Sequence, residues 1–199
     1  MNKVRAFIAI PLSDEIHKHL DEVSGQLSNR LGDNVIRWVR SKNIHLTLKF
    51  LGDVPGADIV LIKQILDDAA IQIDAFEFEV GGLGAFPSNQ RARVIWIGVQ
   101  APVQLLELQK SIDLKTAALG YASEERNFSP HLTLGRVSKN STVEDMRRIG
   151  QILQEIKVNK LGTNRVETVH LYKSDLQPGG SVYTVLHQAS FKNTVITRF

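Results

Sequence analysis

The tetrapeptide His-Leu-Thr-Leu occurs twice in this chain, at residues 45–48 and at residues 131–134. The chain has 6 histidines among 199 residues, so composition alone predicts far fewer than one copy of this string. Histidine is the side chain whose ordinary pKa lies near neutrality, and threonine carries a neutral hydroxyl donor. A repeated pair of these residue types indicates acid–base chemistry performed by two similar groups.

Both copies lie in sequence that predicts β-structure, over residues 44–50 and 128–137, because leucine, aromatic and β-branched residues dominate there. Successive side chains of a strand point to opposite faces, so His45 shares a face with Thr47, and His131 with Thr133. The leucines are buried behind them. Two imidazoles near neutrality can remove and deliver protons at a phosphate ester, and the two hydroxyls can hydrogen-bond its non-bridging oxygens.

The hydrophobic pattern predicts an α+β fold with eight or nine strands and four helices. The clearest strands are residues 4–10, 35–39, 76–80 and 93–99, and the last of them is predicted to be central because it contains few polar residues. Helices are predicted after Ser13, from Asp58, over residues 103–119 and after Thr142, with Ser13 and Thr142 as N-caps. Residues 83–89 should form a loop, and the chain should end in three strands over residues 155–158, 165–174 and 181–191.

Strand–helix–strand order recurs around each tetrapeptide, and His45 and His131 lie 86 residues apart. Repetition of this kind predicts a duplicated α+β fold with one His-x-Thr-x motif in each lobe. We therefore expect residues 1–199 to form a single bilobal domain. The two halves share little sequence outside the tetrapeptides, so this prediction depends on the order of elements and one short match.

Composition excludes several kinds of site. The chain has no cysteine, which rules out disulfides, thiolate nucleophiles and cysteine-based zinc sites. Neither motif contains a carboxylate that could bring two histidines to the three or four ligands of a zinc site, so we expect no metal and no other cofactor. The net charge of +3 and an isoelectric point near 9.2 permit an anionic partner such as RNA without requiring one.

The first twelve residues contain a short apolar run, but Ser13, Asp14 and Glu15 stand where a signal peptide would need small residues for cleavage. We interpret this stretch as the first strand. No segment approaches the roughly 18 apolar residues that a membrane span requires. These features predict a cytoplasmic protein with no membrane partner, and a monomer is the expected state.

Residues that follow each motif are candidates for substrate contact. Arg136 could hold a phosphate with its planar fork of donors, and Lys49 could do so as a point charge. Strict alternation places Lys49 on the face of His45 but turns Arg136 away from His131, unless Gly135 marks a β-bulge that reorients it. Four aromatic residues could stack on a nucleotide base, although aromatic residues in strands more often belong to the core: Trp38, Phe50, Phe86 and Phe128.

The sequence resembles the two-histidine (2H) phosphoesterases, whose signature is a pair of His-x-Thr-x motifs. More specifically, it is similar to the branch of RNA 2′,3′-cyclic phosphodiesterases, also called 2′-5′ RNA ligases or LigT/ThpR. The resemblance spans nearly the whole chain in order. It rests on the segments RAFIAI (5–10), NIHLTLKFLG (43–52), FSPHLTLGR (128–136) and GSVY (180–183).

The resemblance implies a bilobal fold in which two antiparallel β-sheets with flanking helices surround a central cleft. It also implies metal-independent opening of a 2′,3′-cyclic phosphate, on an RNA 3′ end or a nucleotide, to a 2′-phosphate. In that reaction His45 would be the proton donor to the departing 3′-oxygen, and His131 the proton acceptor that activates water. Some members of the family join RNA ends through 2′-5′ linkages by the reverse reaction. The residues alone do not decide which histidine is the acid and which the base.

Two alternatives stay open from the sequence. The chain could be a non-catalytic RNA- or nucleotide-binding module, or a phosphodiesterase for another cyclic or 2′-linked nucleotide, such as ADP-ribose 1″,2″-cyclic phosphate or 2′-5′ oligoadenylate. Intact histidine and threonine in both motifs favour catalysis, because anion binding alone does not need matched titratable groups. Substrate choice should depend on the loops around residues 86–91 and 139–142.

Overall fold

The computed structural model describes residues 3–32, 34–124, 126–178 and 180–192, in which nine strands and four α-helices are present. The helices are α1 (Asp14–Leu31), α2 (Gly56–Ala70), α3 (Val103–Ala118) and α4 (Val143–Glu155). The strands are β1 (Lys3–Ile10), β2 (Ile36–Trp38), β3 (Leu46–Pro55), β4 (Phe76–Phe86), β5 (Val94–Gln100), β6 (His131–Val137), β7 (Lys160–Val166), β8 (Thr168–Gln177) and β9 (Gly180–Ser190).

The strands form two antiparallel sheets, and each sheet carries one His-Leu-Thr-Leu motif. The four-stranded sheet has the order β3-β1-β8-β9, and the five-stranded sheet has the order β2-β6-β5-β4-β7. The first motif leads into β3 and the second opens β6, and these two strands contact each other. The α+β fold with two antiparallel sheets and flanking helices is confirmed.

Helices cover one face of each sheet. Helices α2 and α3 pack on the four-stranded sheet, and α1 packs on the five-stranded sheet, where α4 packs against α1 and the turn at residues 89–91 between β4 and β5. Buried apolar side chains from both sheets and all four helices join in one cluster. We call the opposite face of each sheet, which carries the motif histidine and threonine, its cleft face. Among the described residues, no helix combines the length and apolar character needed to cross a membrane.

Both predicted helix N-caps are confirmed. The Ser13 hydroxyl accepts a hydrogen bond from the N–H of Ile16 at the start of α1. Thr142 and Asp145 form a reciprocal capping box at the start of α4, in which each side chain accepts from the other residue's backbone N–H. The apolar stripe predicted for the first helix is also buried: Ile16, Leu20, Val23 and Leu27.

Strand β3 contains a β-bulge immediately after its motif threonine. Thr47 pairs with Ala9 of β1, and Lys49 pairs with the adjacent Ile8, so Leu48 has no partner of its own. An extra residue of this kind reverses the alternation of side chains beyond it. Strict alternation therefore ends at the fourth residue of the motif.

Strand β6 contains a bulge at the equivalent motif position. Thr133 pairs with Trp96 of β5, and Gly135 pairs with Ile95, which leaves Leu134 as the extra residue. The two motifs thus share their sequence, their place at the start of a strand and their backbone irregularity. This agreement is stronger evidence of duplication than the four identical letters.

Three predicted boundaries are wrong. Residues 155–158 do not form a strand, because α4 continues to Glu155 and β7 begins at Lys160. Residues 165–174 belong to two strands, since β7 ends at Val166 and β8 begins at Thr168. Residues 83–86 continue β4 instead of forming a loop. The glycine at position 84 accommodates a neighbouring ring and makes no turn, because a Cβ on Gly84 would overlap the indole of Trp96.

Candidate active site

Hydrogen bonds to Asn43, and from Asn43 to strand β9, fix the position of His45. Its Nδ1–H donates to the carbonyl oxygen of Asn43 at 2.8 Å, because a carbonyl oxygen can only accept. The Asn43 side chain in turn donates to the carbonyl oxygen of Ser181 in β9 at 3.0 Å. Because Nδ1 of His45 carries the proton in its bond to Asn43, the lone pair of the neutral imidazole lies on Nε2. Nε2 has no hydrogen-bond partner among the described residues.

His131 repeats this arrangement at the start of β6, where it lies opposite Gly98 of β5. Its Nδ1–H donates to the carbonyl oxygen of Ser129 at 2.7 Å, again two residues earlier in the chain. The two imidazoles therefore adopt the same tautomer, and each leaves Nε2 available to accept or donate a proton. Matched orientation of this kind is what paired acid–base groups require.

The motif threonines are positioned to meet an anion. Thr47 and Thr133 are both half-buried, and neither hydroxyl has a hydrogen-bond partner within the described parts of the chain. A half-buried hydroxyl without a protein partner is a ready donor for a phosphate oxygen. In the part of the chain that the structure describes, no group of three or more His, Asp or Glu side chains is arranged to hold a metal ion.

Three aromatic rings surround His45, and the sequence analysis assigned none of them to the site. Phe7 stacks on the imidazole with centroids 4.6 Å apart and planes 23° apart. Tyr183 meets it edge-on at 5.3 Å, and Tyr172 lies beside Phe7, with its ring centroid 5.1 Å from that of Phe7 and 6.0 Å from that of the imidazole. These rings come from β1, β8 and β9. In the sequence, Phe7 has the pattern of an ordinary core residue, so only strand order reveals this cluster.

Burial by these rings changes the chemistry of His45. Burial lowers the pKa of His45 from 6.5 to about 4, against the opposing effect of the hydrogen bond to Asn43, and the positive charge of His17 adds a smaller lowering. His45 is therefore neutral at pH 7 in the free protein. His131 has a different environment, in which Phe86 stands edge-on at 4.9 Å. The two motifs are alike in backbone but not in surroundings.

The predicted placement of Lys49 is wrong. The bulge at Leu48 turns Lys49 to the helix-covered face, where it is 2% exposed. Its ammonium group forms an ion pair with Asp113 of α3 and donates to the carbonyl oxygen of Ala122. Burial raises the pKa of Asp113, but the hydrogen bond and charge of Lys49, together with hydrogen bonds from the Ser123 side chain and the Glu124 backbone, outweigh it, and the net pKa is lowered. Lys49 is an interior structural residue and does not face the cleft.

The same bulges bring Phe50 and Arg136 to the cleft faces. Phe50 pairs with Phe7 and is 59% exposed. The centroids of the two rings are 6.2 Å apart. Arg136 is exposed on the face of Thr133, because the extra residue in β6 reverses the alternation that would have turned it away. The β-bulge that the sequence analysis considered at Gly135 exists, but the extra residue is Leu134. Phe50 and Arg136 occupy equivalent positions in the two motif strands.

The other aromatic candidates have different surroundings. Phe86 contacts both His131 and Trp96, with ring centroids 4.9 Å and 5.2 Å away. Trp38 pairs with Gly135 and lines a cavity with residues of α1, on the helix-covered side of the sheet. Phe128 is partly buried and packs against the core. Trp38 is therefore not positioned to stack on a base in the cleft, whereas the predicted role of Phe128 stays a prediction.

The chain is similar over most of its length to proteins of one family. The family model described as LigT like phosphoesterase matches the chain twice, over residues 10–96 and 97–183, with one motif in each match. An RNA 2′,3′-cyclic phosphodiesterase of Methanothermobacter thermautotrophicus is 34% identical over 182 residues, which cover 92% of this chain and 96% of the relative. One of Thermotoga maritima is 31% identical over 193 residues, covering 97% and 98%. The crystal structure of E. coli LigT complexed with 3′-AMP has a TM-score of 0.76 at 26% identity, covering 96% of this chain and 99% of that chain.

Proposed function

Because the chain belongs to the LigT-like phosphoesterase family, we propose that it hydrolyses the 2′,3′-cyclic phosphate of RNA 3′ ends or nucleotides to a 2′-phosphate. The two relatives described above are named RNA 2′,3′-cyclic phosphodiesterases and align over nearly their whole length. The observation that carries the proposal is the matched pair of imidazoles. Each donates Nδ1–H to the carbonyl two residues earlier, and within the described part of the chain neither Nε2 nor the hydroxyl of the motif threonine on the same face has a hydrogen-bond partner.

The proposed reaction uses one proton transfer on each side of the phosphorus. His131 takes a proton from water through Nε2, the water oxygen forms a bond to phosphorus, and the bond from phosphorus to the 3′-oxygen breaks. His45 gives its Nε2 proton to that departing oxygen, so a 2′-phosphate and a free 3′-hydroxyl result. A positioned acid or base typically contributes about 10²- to 10⁴-fold in rate.

The threonines and Arg136 would stabilise the charge that develops in this step. Thr47 and Thr133 donate to the non-bridging oxygens, and loss of one such donor typically costs about 3 to 4 kcal/mol in the transition state. Arg136 adds a cation on the face of Thr133. At the equivalent position of the other lobe, the exposed ring of Phe50 is suited to stack on a base.

His45 must gain a proton before it can donate one, because its pKa is about 4 in the free protein. An anionic cyclic phosphate within ~4–6 Å favours the charged imidazolium and raises this pKa. Binding of the substrate would thus cause His45 to take up the proton that it later donates. The same machinery supports 2′-5′ ligation: when the 5′-hydroxyl of a second RNA replaces water, an identical pair of proton transfers yields a 2′-5′ phosphodiester.

The test is incubation with a short RNA ending in 2′,3′-cyclic phosphate, in EDTA, followed by separation of 2′-phosphate from 3′-phosphate products. We expect only the 2′-phosphate, and a fall in turnover of at least about 10² for His45→Ala and His131→Ala. His187→Ala is the matched control, because His187 contacts Asp67 outside the candidate site.

Unchanged turnover in either motif variant would contradict the proposal, as would a 3′-phosphate product or a requirement for added divalent metal. No turnover with RNA still bound would favour the binding module. Turnover of another 2′-linked or cyclic nucleotide alone would keep the mechanism and change the substrate.

A further inference from the structure

A cavity of about 700 Å³ lies at the far end of β6 from His131 and is strongly basic. Its wall includes Arg37 of β2, Arg93 at the entry to β5, Arg136 of β6 and Lys139 just beyond β6, together with Asn34. We call this the basic cavity. All four cations are exposed, and no acidic side chain is among the described residues that line the cavity.

The cations of the basic cavity lie close enough to repel one another. Arg37 and Arg136 are directly opposite in the β2–β6 pair, where side chains lie roughly 5 Å apart at Cβ and like charges are destabilising. Within the described ranges, no carboxylate forms an ion pair with any of the four. A cluster of this kind is stabilised when an anionic ligand supplies the missing charge.

The position of the basic cavity relates it to the reacting phosphate. Along β5, His131 is opposite Gly98, Thr133 is opposite Trp96, and Arg136 is opposite Val94. Each step of two residues along a strand is roughly 7 Å. The motif residues and the cavity therefore lie in one line on the same face of the five-stranded sheet, and Arg136 is the wall residue of the cavity that follows the motif in β6.

The backbone holds this line in place. The N–H of Val137 donates to the carbonyl oxygen of Arg93 at 3.0 Å, and the N–H of Ser138 donates to that of Val35 at 2.8 Å. The residues that carry the cations are thus joined across β2, β6 and the start of β5. The flexible side chains extend from a fixed frame, as a backbone-binding groove for a polyanion requires.

We propose that the basic cavity binds the phosphodiester backbone of RNA upstream of its cyclic phosphate, so that the substrate is an RNA end of several nucleotides and not a cyclic mononucleotide. This inference rests on the proposed function. A mononucleotide has one phosphate, which the motif histidines and threonines hold, and it has nothing to place among Arg37, Arg93 and Lys139. An oligonucleotide continues past Arg136 with one phosphate for each nucleotide.

The experiment compares kcat/KM for a five-nucleotide RNA ending in 2′,3′-cyclic phosphate with that for the cyclic mononucleotide. The variants are Arg37→Gln, Arg93→Gln and the double variant, which leave Arg136 unchanged. Arg147→Gln is the matched control, because Arg147 is an exposed arginine on α4, which packs against α1 and contributes no residue to the lining of the cavity. For the oligonucleotide we expect a loss of about 10-fold for each arginine, as for a charge-assisted hydrogen bond.

For the mononucleotide, the double variant should stay within about 2-fold of the unsubstituted protein, and this result also shows that it is folded. The dependence of log kcat/KM on log salt concentration should become shallower by about 1.4 for the oligonucleotide, since a single-stranded phosphate contact contributes about 0.7. Equal losses on both substrates would overturn the proposal. So would a double variant that matches the unsubstituted protein on the oligonucleotide.

Binding separates this proposal from the proposed function. A fluorescently labelled five-nucleotide RNA ending in 2′-phosphate should bind the unsubstituted protein at least about 10-fold more tightly than the double variant, whether or not turnover occurs. Competition by ATP for the labelled RNA tests whether the basic cavity is instead a site for a nucleotide polyphosphate. If ATP displaces the RNA while an RNA dinucleotide of equal charge does not, the cavity is a polyphosphate site and the RNA assignment is wrong.

Discussion

Replacing Tyr183 by alanine should raise the pKa of His45, because Tyr183 covers the edge of the imidazole at 5.3 Å. Tyr183 is half-buried near the start of β9, so its truncation admits water to His45 without removing a central core residue. Phe7 is a poorer probe. It is 3% exposed, and loss of such a ring typically costs about 3–5 kcal/mol of folding free energy.

The expected size follows from the burial of His45. The difference between its ordinary pKa of 6.5 and about 4 corresponds to ~3 kcal/mol against the imidazolium. Three rings, those of Phe7, Tyr172 and Tyr183, form the aromatic cover. If opening one of three sides returns a third of this energy, the pKa of His45 rises by about one unit in Tyr183→Ala. Tyr183→Phe keeps the ring and should leave the pKa unchanged.

NMR titration of the His45 Cε1–H signal from about pH 3 to pH 8 measures this pKa, with the signal assigned by its loss in His45→Gln. The acidic limb of kcat/KM should move in the same direction, because that profile reports groups of the free enzyme. The reasoning is refuted if His45 of the unsubstituted protein titrates near 6.5. It is also refuted if Tyr183→Ala and Tyr183→Phe give the same pKa.

Three further predictions concern stability. Burial of neutral His45 contributes ~3 kcal/mol that is fully present above about pH 6.5 and lost as the pH falls to about 4, since the unfolded chain takes up this proton first; urea unfolding of His45→Gln should lack this part of the pH dependence. Lys49→Met removes the cation that pairs with the Asp113 carboxylate and should lower the free energy of unfolding by about 3 kcal/mol. Lys160→Met, which breaks an exposed ion pair, should change that free energy by less than about 1 kcal/mol. Equal losses in the two variants would show that Lys49 has no special structural role. Thr142→Ala removes a capping box and should cost about 1 kcal/mol in thermal or urea unfolding, with no change at all counting against the observed cap.

Local sequence signals were sufficient for most elements. The stripe of α1 and the caps at Ser13 and Thr142 depend on residues three or four positions apart, so they can be predicted without knowing the rest of the chain. The predictions failed where a glycine or an apolar residue acts through distant partners. Residues 83–86 form a strand because Trp96 of the neighbouring strand lies against Gly84, and no local pattern contains that information.

Lys49 and Arg136 show the same limit at the candidate site. Their motifs are identical in four letters, and strict alternation gave them opposite faces, yet the bulges at Leu48 and Leu134 exchange those assignments. A bulge is a property of a strand pair, because it exists only where two residues oppose one. The sequence of one strand therefore cannot locate it, even when the irregularity itself is suspected.

The sequence by itself determined the chemical inventory: two histidines, each two residues before a threonine and on its face, in a duplicated α+β fold without cysteine. Strand periodicity is enough for that conclusion, since neighbouring positions within a motif are related by covalent geometry. Only the tertiary structure decided what surrounds the inventory. The aromatic cover of His45 comes from β1, β8 and β9, and the basic cavity from β2, β5 and β6. Burial and electrostatic potential are sums over all neighbours in space, so they are fixed by strand order and register and not by sequence spacing.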